Sequence, residues 1–248
     1  MDVNLIDYTG AGHTDPARHA ANVLVFTKST RLDMRPGLFD EVCNRGWEEI
    51  EAELRYMANT IPSSWEFVNY TFLITDVTRA FTHQFVRTRT GSYAQQTMRV
   101  LNVDGWTYGT GPSIVGDPDA EDMYDGTMAA ISDAYSALID MGAKIEDARG
   151  VLPTNIHTNI VAKFDLRTLA DTMRKRASGR TQGEYRAVME AMKAEVLRVH
   201  PWAELFFNRT FDVAAADLEA LISRLPDEVS DERKTRMVKL LDQMRATA

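Results

Sequence analysis

The chain has 248 residues, of which 44% are hydrophobic and 26% charged, enough apolar side chains for a sizeable core. Its 28 basic and 36 acidic residues give a net charge of -8, which excludes a protein that grips duplex DNA through a dense basic surface but leaves room for a small anion in a local basic cluster. The lone cysteine, Cys43, rules out an internal disulfide and a CxxC redox or zinc pair.

Residues 1–8 lack the apolar core of a signal peptide, and no apolar run is long enough to span a bilayer, so a soluble, cytoplasmic protein is expected. Residues 3–8 alternate apolar and polar and predict a short edge strand. Asp15-Pro16 opens a helix, with proline in the first turn where its missing N–H costs nothing. Residues 38–57 form a second helical region, interrupted near Gly46. Residues 65–77, with Phe67, Tyr70, Phe72 and Ile74, have the aromatic and β-branched content of a buried strand. A helix over 78–87 and an extended stretch over 96–103 follow.

Residues 117–140 predict a long helix stopped by Gly142, with a short helix leading to Arg149. Leu152-Pro153 breaks it, and a strand runs through Phe164. Helical spacing then relates Leu166, Leu169, Ala170, Met173 and Ala177, and again Tyr185, Val188, Met189, Met192 and Val196. The last helix carries Met237, Leu240, Leu241 and Met244 on one face. No repeat, low-complexity tract or linker divides the chain, so one α/β or α+β domain over 1–248 is expected.

Two segments could carry chemistry. In the first, Gln84 and Arg87 share a face if their stretch is helical, and Thr97 and Arg99 share one if theirs is extended. A helix-loop-strand unit would converge Gln84, Arg87, Arg89, Thr97 and Arg99, combining guanidinium forks and a hydroxyl as a phosphate requires. The second segment holds Arg149, Arg167, Arg174, Lys175, Arg176 and Arg180, interleaved with Asp165 and Asp171. In an acidic protein this local charge suggests an anionic ligand. The bland alternatives are a solvated arginine surface and an Arg167–Asp171 pair along a helix, and spacing alone leaves both open.

Other clusters fade. His13, His19, His83, His157 and His200 lack metal-site spacing, so no metal is expected. The acids Asp117, Asp119, Glu121, Asp122 and Asp125 miss the glycine and terminal glutamate of a calcium loop and suit a helix N-terminus better. Cys43, beside Phe39, Val42 and Trp47, reads as packing.

Taken in order, the segments resemble the flavin-dependent thymidylate synthases. Arg87-Thr88-Arg89, seven residues and Thr97 occupy the family's Arg-His-Arg-to-Ser frame, with Ser92-Tyr93 inside it. Arg149-Gly150-Val151-Leu152-Pro153, Asp165-Leu166-Arg167-Thr168-Leu169, Lys175-Arg176-Ala177, Gln182 and Glu184 follow at family spacing, and Trp65-Glu66-Phe67 resembles the upstream block. The likeness covers residues 64–201.

That resemblance implies a mixed sheet flanked by helices, a homotetramer with sites between subunits, and a soluble enzyme with no nucleic-acid or membrane partner. It implies transfer of a one-carbon unit from methylenetetrahydrofolate to C5 of dUMP, with FAD, reduced by NADPH, supplying a hydride. It assigns Gln84, Arg87, Gln95, Gln96, Thr97, Arg99, Arg149 and Arg176 to the nucleotide, with Arg176 also helping to ionise the pyrimidine. Ser64, Arg87, Thr88, Arg89, Asp165, Arg167, Asp171 and Arg180 fall to the flavin. The chain departs from the pattern at Thr88 (histidine in the family), Thr97 (serine), Asp165 and Asp171 (asparagines) and Arg180 (histidine). Hydroxymethylation of dUMP or dCMP on the same scaffold, and non-catalytic nucleotide binding, are the competing readings.

Overall fold

The computed structural model describes residues 1–100, 105–176, 182–208, 218, 221–222, 225 and 229–247. In chain order the elements are β1 (Asp2–Tyr8), α1 (Pro16–Ser29), α2 (Leu38–Cys43), α3 (Trp47–Thr60), β2 (Asn69–Thr78), α4 (Arg79–Phe85), β3 (Ser92–Gln95), α5 (Pro118–Asp140), α6 (Ile145–Ala148), β4 (His157–Asp165), α7 (Leu166–Arg176), α8 (Gly183–Val199), α9 (Glu204–Phe207) and α10 (Asp231–Thr247). This is the α+β class expected. Two compact units share the chain, Met1–Thr9 with Asn69–Val196, and Gly10–Val68 with Leu197–Ala248.

The first unit is built on a four-stranded sheet of order β1-β2-β4-β3. β1 lies at its edge, as its alternating pattern predicts. Each adjacent described pair is antiparallel, which corrects the mixed sheet implied by the resemblance. The physical reason is that β4 runs between β2 and β3 and opposite to both. Period-two alternation puts Tyr70, Phe72 and Ile74 of β2 on the same buried face as Phe164, Ala162 and Ile160 of β4, their register partners. Phe81 and Phe85 of α4 and Tyr185 of α8 pack with one another, and Phe85 with Phe164, at ring separations of 4.9 to 5.8 Å. Burying each such side chain contributes about 1.5–3 kcal/mol.

A β-bulge interrupts β2. Ile74 faces Ile160 and Val77 faces Thr158, so Thr75 and Asp76 together oppose Asn159. Asp76 takes the left-handed conformation, φ 54°, and its N–H donates to Asn159 Oδ1 at 3.1 Å. At the end of α5 the sequence signal holds. Gly142, φ 89°, donates to Ile139 O at 2.9 Å and Ala143 to Leu138 O at 2.9 Å, the pairing that closes a helix on a left-handed glycine.

Two expected strands are corrected. Residues 62–67 form a 3-10 helix after Pro62, and β2 starts only at Asn69. Trp65 is buried, but its indole N–H donates to Met57 O at 3.0 Å instead of standing on a sheet. The stretch expected over 96–103 is displaced to Ser92–Gln95. Gln96 N still reaches Asn159 O, but the next place along β4 is taken by Thr107 and Tyr108, which pair with His157 and Ile156. The ladder therefore ends before Thr97, and residues 101–104 lie outside the described residues.

In the second unit Asp15 caps α1 by accepting from Arg18 N at 2.9 Å, and Trp202 donates to Ala17 O at 2.8 Å. Trp65 and Phe206 meet edge to face at 4.9 Å. Leu241 of α10 is buried, while Met237 and Leu240 are exposed, so the expected apolar face is only partly used. Among the described residues no helix is long and apolar enough to cross a membrane.

Candidate functional site

The site grows from α4, a helix of seven residues that needs outside help to hold its ends. Thr78 caps it, its hydroxyl accepting from Phe81 N at 3.1 Å. Glu184, in the first turn of α8, accepts from Thr78 N at 2.8 Å and from Thr78 Oγ1 at 2.5 Å. Arg79 N and Ala80 N donate to Ile156 O and Thr154 O, at 3.0 and 2.7 Å. At the other end, Gln84 Nε2 donates to Gln182 Oε1 at 2.9 Å. The N–H groups of Arg79, Ala80 and Phe81 thus each find an acceptor, and α8 with the residue before it holds both ends of α4.

So fixed, α4 turns Arg79 and His83 into a cleft of about 350 Å³ completed by Met98, Glu146, Arg149 and Pro153. Arg79 is half-buried and makes no ion pair among the described residues. Its pKa is lowered, first by burial and then by the positive charge of Arg149. Two guanidiniums facing one cleft repel each other, and an anion between them would relieve both. Arg99 joins them through Glu146, its Nε bonding Oε2 at 3.0 Å, while Arg149 Nε donates to Glu146 O at 3.1 Å. Charge and directional donors together make this a place for a phosphate. Arg79 escaped the sequence reading, because it lies outside both arginine runs and only the fold brings it to Arg149.

A second cluster lies where α7 ends and α8 begins. The Arg176 guanidinium sits 4.6 Å over the ring of Tyr185, a cation–π contact that orients it without occupying its N–H groups. Arg87 and Arg89, just beyond α4, are exposed and form no ion pair among the described residues. Thr88 is half-buried, and its carbonyl accepts from Tyr93 Oη at 2.8 Å.

The expected convergence of Gln84, Arg87, Arg89, Thr97 and Arg99 is therefore corrected. Arg99 joins Arg149, Gln84 joins Gln182, and Thr97 sits in a bend where its hydroxyl accepts from Arg99 N at 3.1 Å. Gln95 points inward, donating to Thr82 Oγ1 at 2.9 Å, and exposed Gln96 accepts from Asn159 Nδ2 at 3.1 Å.

Of the residues assigned to a flavin, Asp165 caps α7, accepting from Thr168 N at 2.7 Å and Thr168 Oγ1 at 3.0 Å. Asp171 pairs with Arg174 along α7. Half-buried Arg167 opens α7, Ser64 is buried in the second unit, and Arg180 lies outside the described residues. The donors a flavin pyrophosphate needs are thus present at Arg87 and Arg89, while the two carboxylates are engaged within α7.

The thymidylate synthase complementing protein family matches residues 4–202. The flavin-dependent thymidylate synthase of Geobacter sulfurreducens is 36% identical over 138 residues, 55% of this chain and 60% of that protein. That of Clostridium tetani is 34% identical over 152 residues, 55% of this chain and 61% of that protein. The match therefore spans about 60% of the length of these two curated relatives. The flavin-dependent thymidylate synthase of Sulfurisphaera tokodaii is 35% identical over 213 residues, 81% of this chain and 75% of that protein. With four-fifths of its length inside that family, and its arginine cleft built from the matching segment, the chain belongs to the thymidylate synthase complementing proteins.

Proposed function

We propose that the protein transfers a one-carbon unit from methylenetetrahydrofolate to C5 of dUMP, giving dTMP. The observation that carries this reading is the meeting of Arg79 and Arg149 at one cleft, with Arg99 bonded to its Glu146, in an otherwise acidic chain. These guanidiniums hold the nucleotide phosphate. Arg176, held over the ring of Tyr185, presents donors to the pyrimidine carbonyl oxygens and stabilises the negative charge that makes C5 nucleophilic. A cytosine ring, with an amino donor at C4, would meet the same guanidinium less favourably, because arginine cannot accept a hydrogen bond.

Arg87, Arg89 and Arg167 would hold FAD, which when bound and reduced by NADPH supplies the hydride. The nucleotide's ionisation needs no thiol. Cys43 lies half-buried in α2 of the second unit. A homotetramer with shared sites completes the reading, the arginine cleft of one subunit facing Arg176 of another.

Mass spectrometry of dUMP and dCMP incubated with methylenetetrahydrofolate, FAD and NADPH tests it. The expected product is 5-methyl-dUMP, with NADPH consumed and dCMP unchanged. A hydroxymethylated product formed without NADPH oxidation, or conversion of dCMP alone, would overturn the reaction. Absence of FAD binding on titration would overturn the cofactor.

A further inference from the structure

The arginine cleft already contains an anion. Among the described residues of its wall, Glu146 is the one acid. Its carboxylate is bonded by Arg99 at 3.0 Å, and its backbone carbonyl by Arg149 at 3.1 Å. Arg79, across the same cleft, has no ion pair among the described residues. A phosphate entering here would seek the donors that Glu146 now holds. It would also meet like charge if the carboxylate stayed, since both are anions and a cleft partly shielded from water screens them less than bulk solvent does.

We propose that Glu146 is an internal carboxylate that competes with the phosphate of the incoming nucleotide for the guanidiniums of the cleft. The proposal rests on the nucleotide reading above. Glu146 neutralises part of the cleft's charge in the ligand-free chain and releases Arg99 when a phosphate arrives. It has room to do so. The Arg99 and Glu146 side chains are 69% and 38% exposed, so the pair can open into water without unfolding its neighbours. Such exposed pairs are weak, which suits a contact that must be exchanged. A dianionic phosphate can outbid a single carboxylate for three guanidiniums, whereas a neutral nucleoside or a weakly charged ester cannot. Glu146 thereby weakens the cleft's grip on a phosphate and leaves a neutral nucleoside unaffected.

The opposite role, a carboxylate that organises Arg99 and Arg149 for the ligand, predicts the opposite sign. Isothermal titration of the full chain and of Glu146→Gln with dUMP, inorganic phosphate and deoxyuridine decides between them. Under competition, Glu146→Gln binds dUMP and phosphate about threefold tighter, the loss of one weak exposed pair, with deoxyuridine affinity unchanged. Glu146→Asp, whose shorter arm reaches Arg99 less well, falls between. Unchanged or weaker phosphate binding by Glu146→Gln overturns the proposal. Tighter phosphate binding in a protein that does not bind dUMP would leave the competition standing and remove the nucleotide reading. If neither protein binds either anion, both fall.

Discussion

A guanidinium lying on an aromatic face keeps its N–H groups for other acceptors, and Arg176 lies so on Tyr185. Arg176→Ala should lower dTMP formation by about 10²–10³, while a denaturant titration should show a loss of about 1–2 kcal/mol, the worth of a cation–π contact on a buried ring. Near-normal turnover in that variant would remove Arg176 from the reaction. Asp165 carries a different kind of evidence. Both of its oxygens are used by Thr168, so its measurable task is capping α7. Asp165→Ala should cost about 1 kcal/mol in thermal or chemical unfolding, and Asp165→Asn only a few tenths, because asparagine caps as well as aspartate. Equal losses in the two variants would mean that charge rather than capping matters there. Asp165 was legible in the chain as a charged candidate of the second segment. Arg79 was not, because nothing within its own segment distinguishes it from a surface arginine.

α4 illustrates how a short helix borrows its rigidity. The apolar faces of α7 and α8 follow directly from helical spacing, and the end of α5 follows from Gly142. The partner of Thr78, however, is a glutamate 106 residues away, and no local pattern announces it. Glu184→Ala leaves Thr78 N without its acceptor and should cost about 1–3 kcal/mol. Thr78→Val removes the hydroxyl from both the cap and the glutamate. The two losses should be strongly non-additive in a double-mutant cycle, with a coupling of about 0.5–3 kcal/mol between contacting groups. Additive losses would show that the two residues act independently. β3 marks the limit of strand reading from one chain. Its pattern favours extension past Gln96, yet the available edge of β4 is claimed by Thr107 and Tyr108. Competition for an edge is a tertiary matter that periodicity cannot contain.

At the scale of the whole molecule, the proposed sharing of sites between the arginine cleft and Arg176 bears on assembly. Under the proposed assembly with sites shared between subunits, a chain lacking Arg149 and a chain lacking Arg176 should each be inactive alone but regain part of the activity when unfolded and refolded together. Sedimentation should show the mixed species as a tetramer. No recovery in a mixed tetramer would place both residues in one subunit's site. The strand order β1-β2-β4-β3 has a consequence for synthesis. β2 and β3 are complete by Gln95, but the strand that must lie between them ends at Asp165. During translation the inner edge of β2, with its Tyr70, Phe72 and Ile74 side chains, waits some tens of residues for its neighbour, and pairings of such long range form slowly. An unpaired, apolar strand edge is a template for the wrong partner. A ribosome stalled before β4 should therefore hold a chaperone-binding nascent chain, and release from that chaperone should follow the emergence of Asp165.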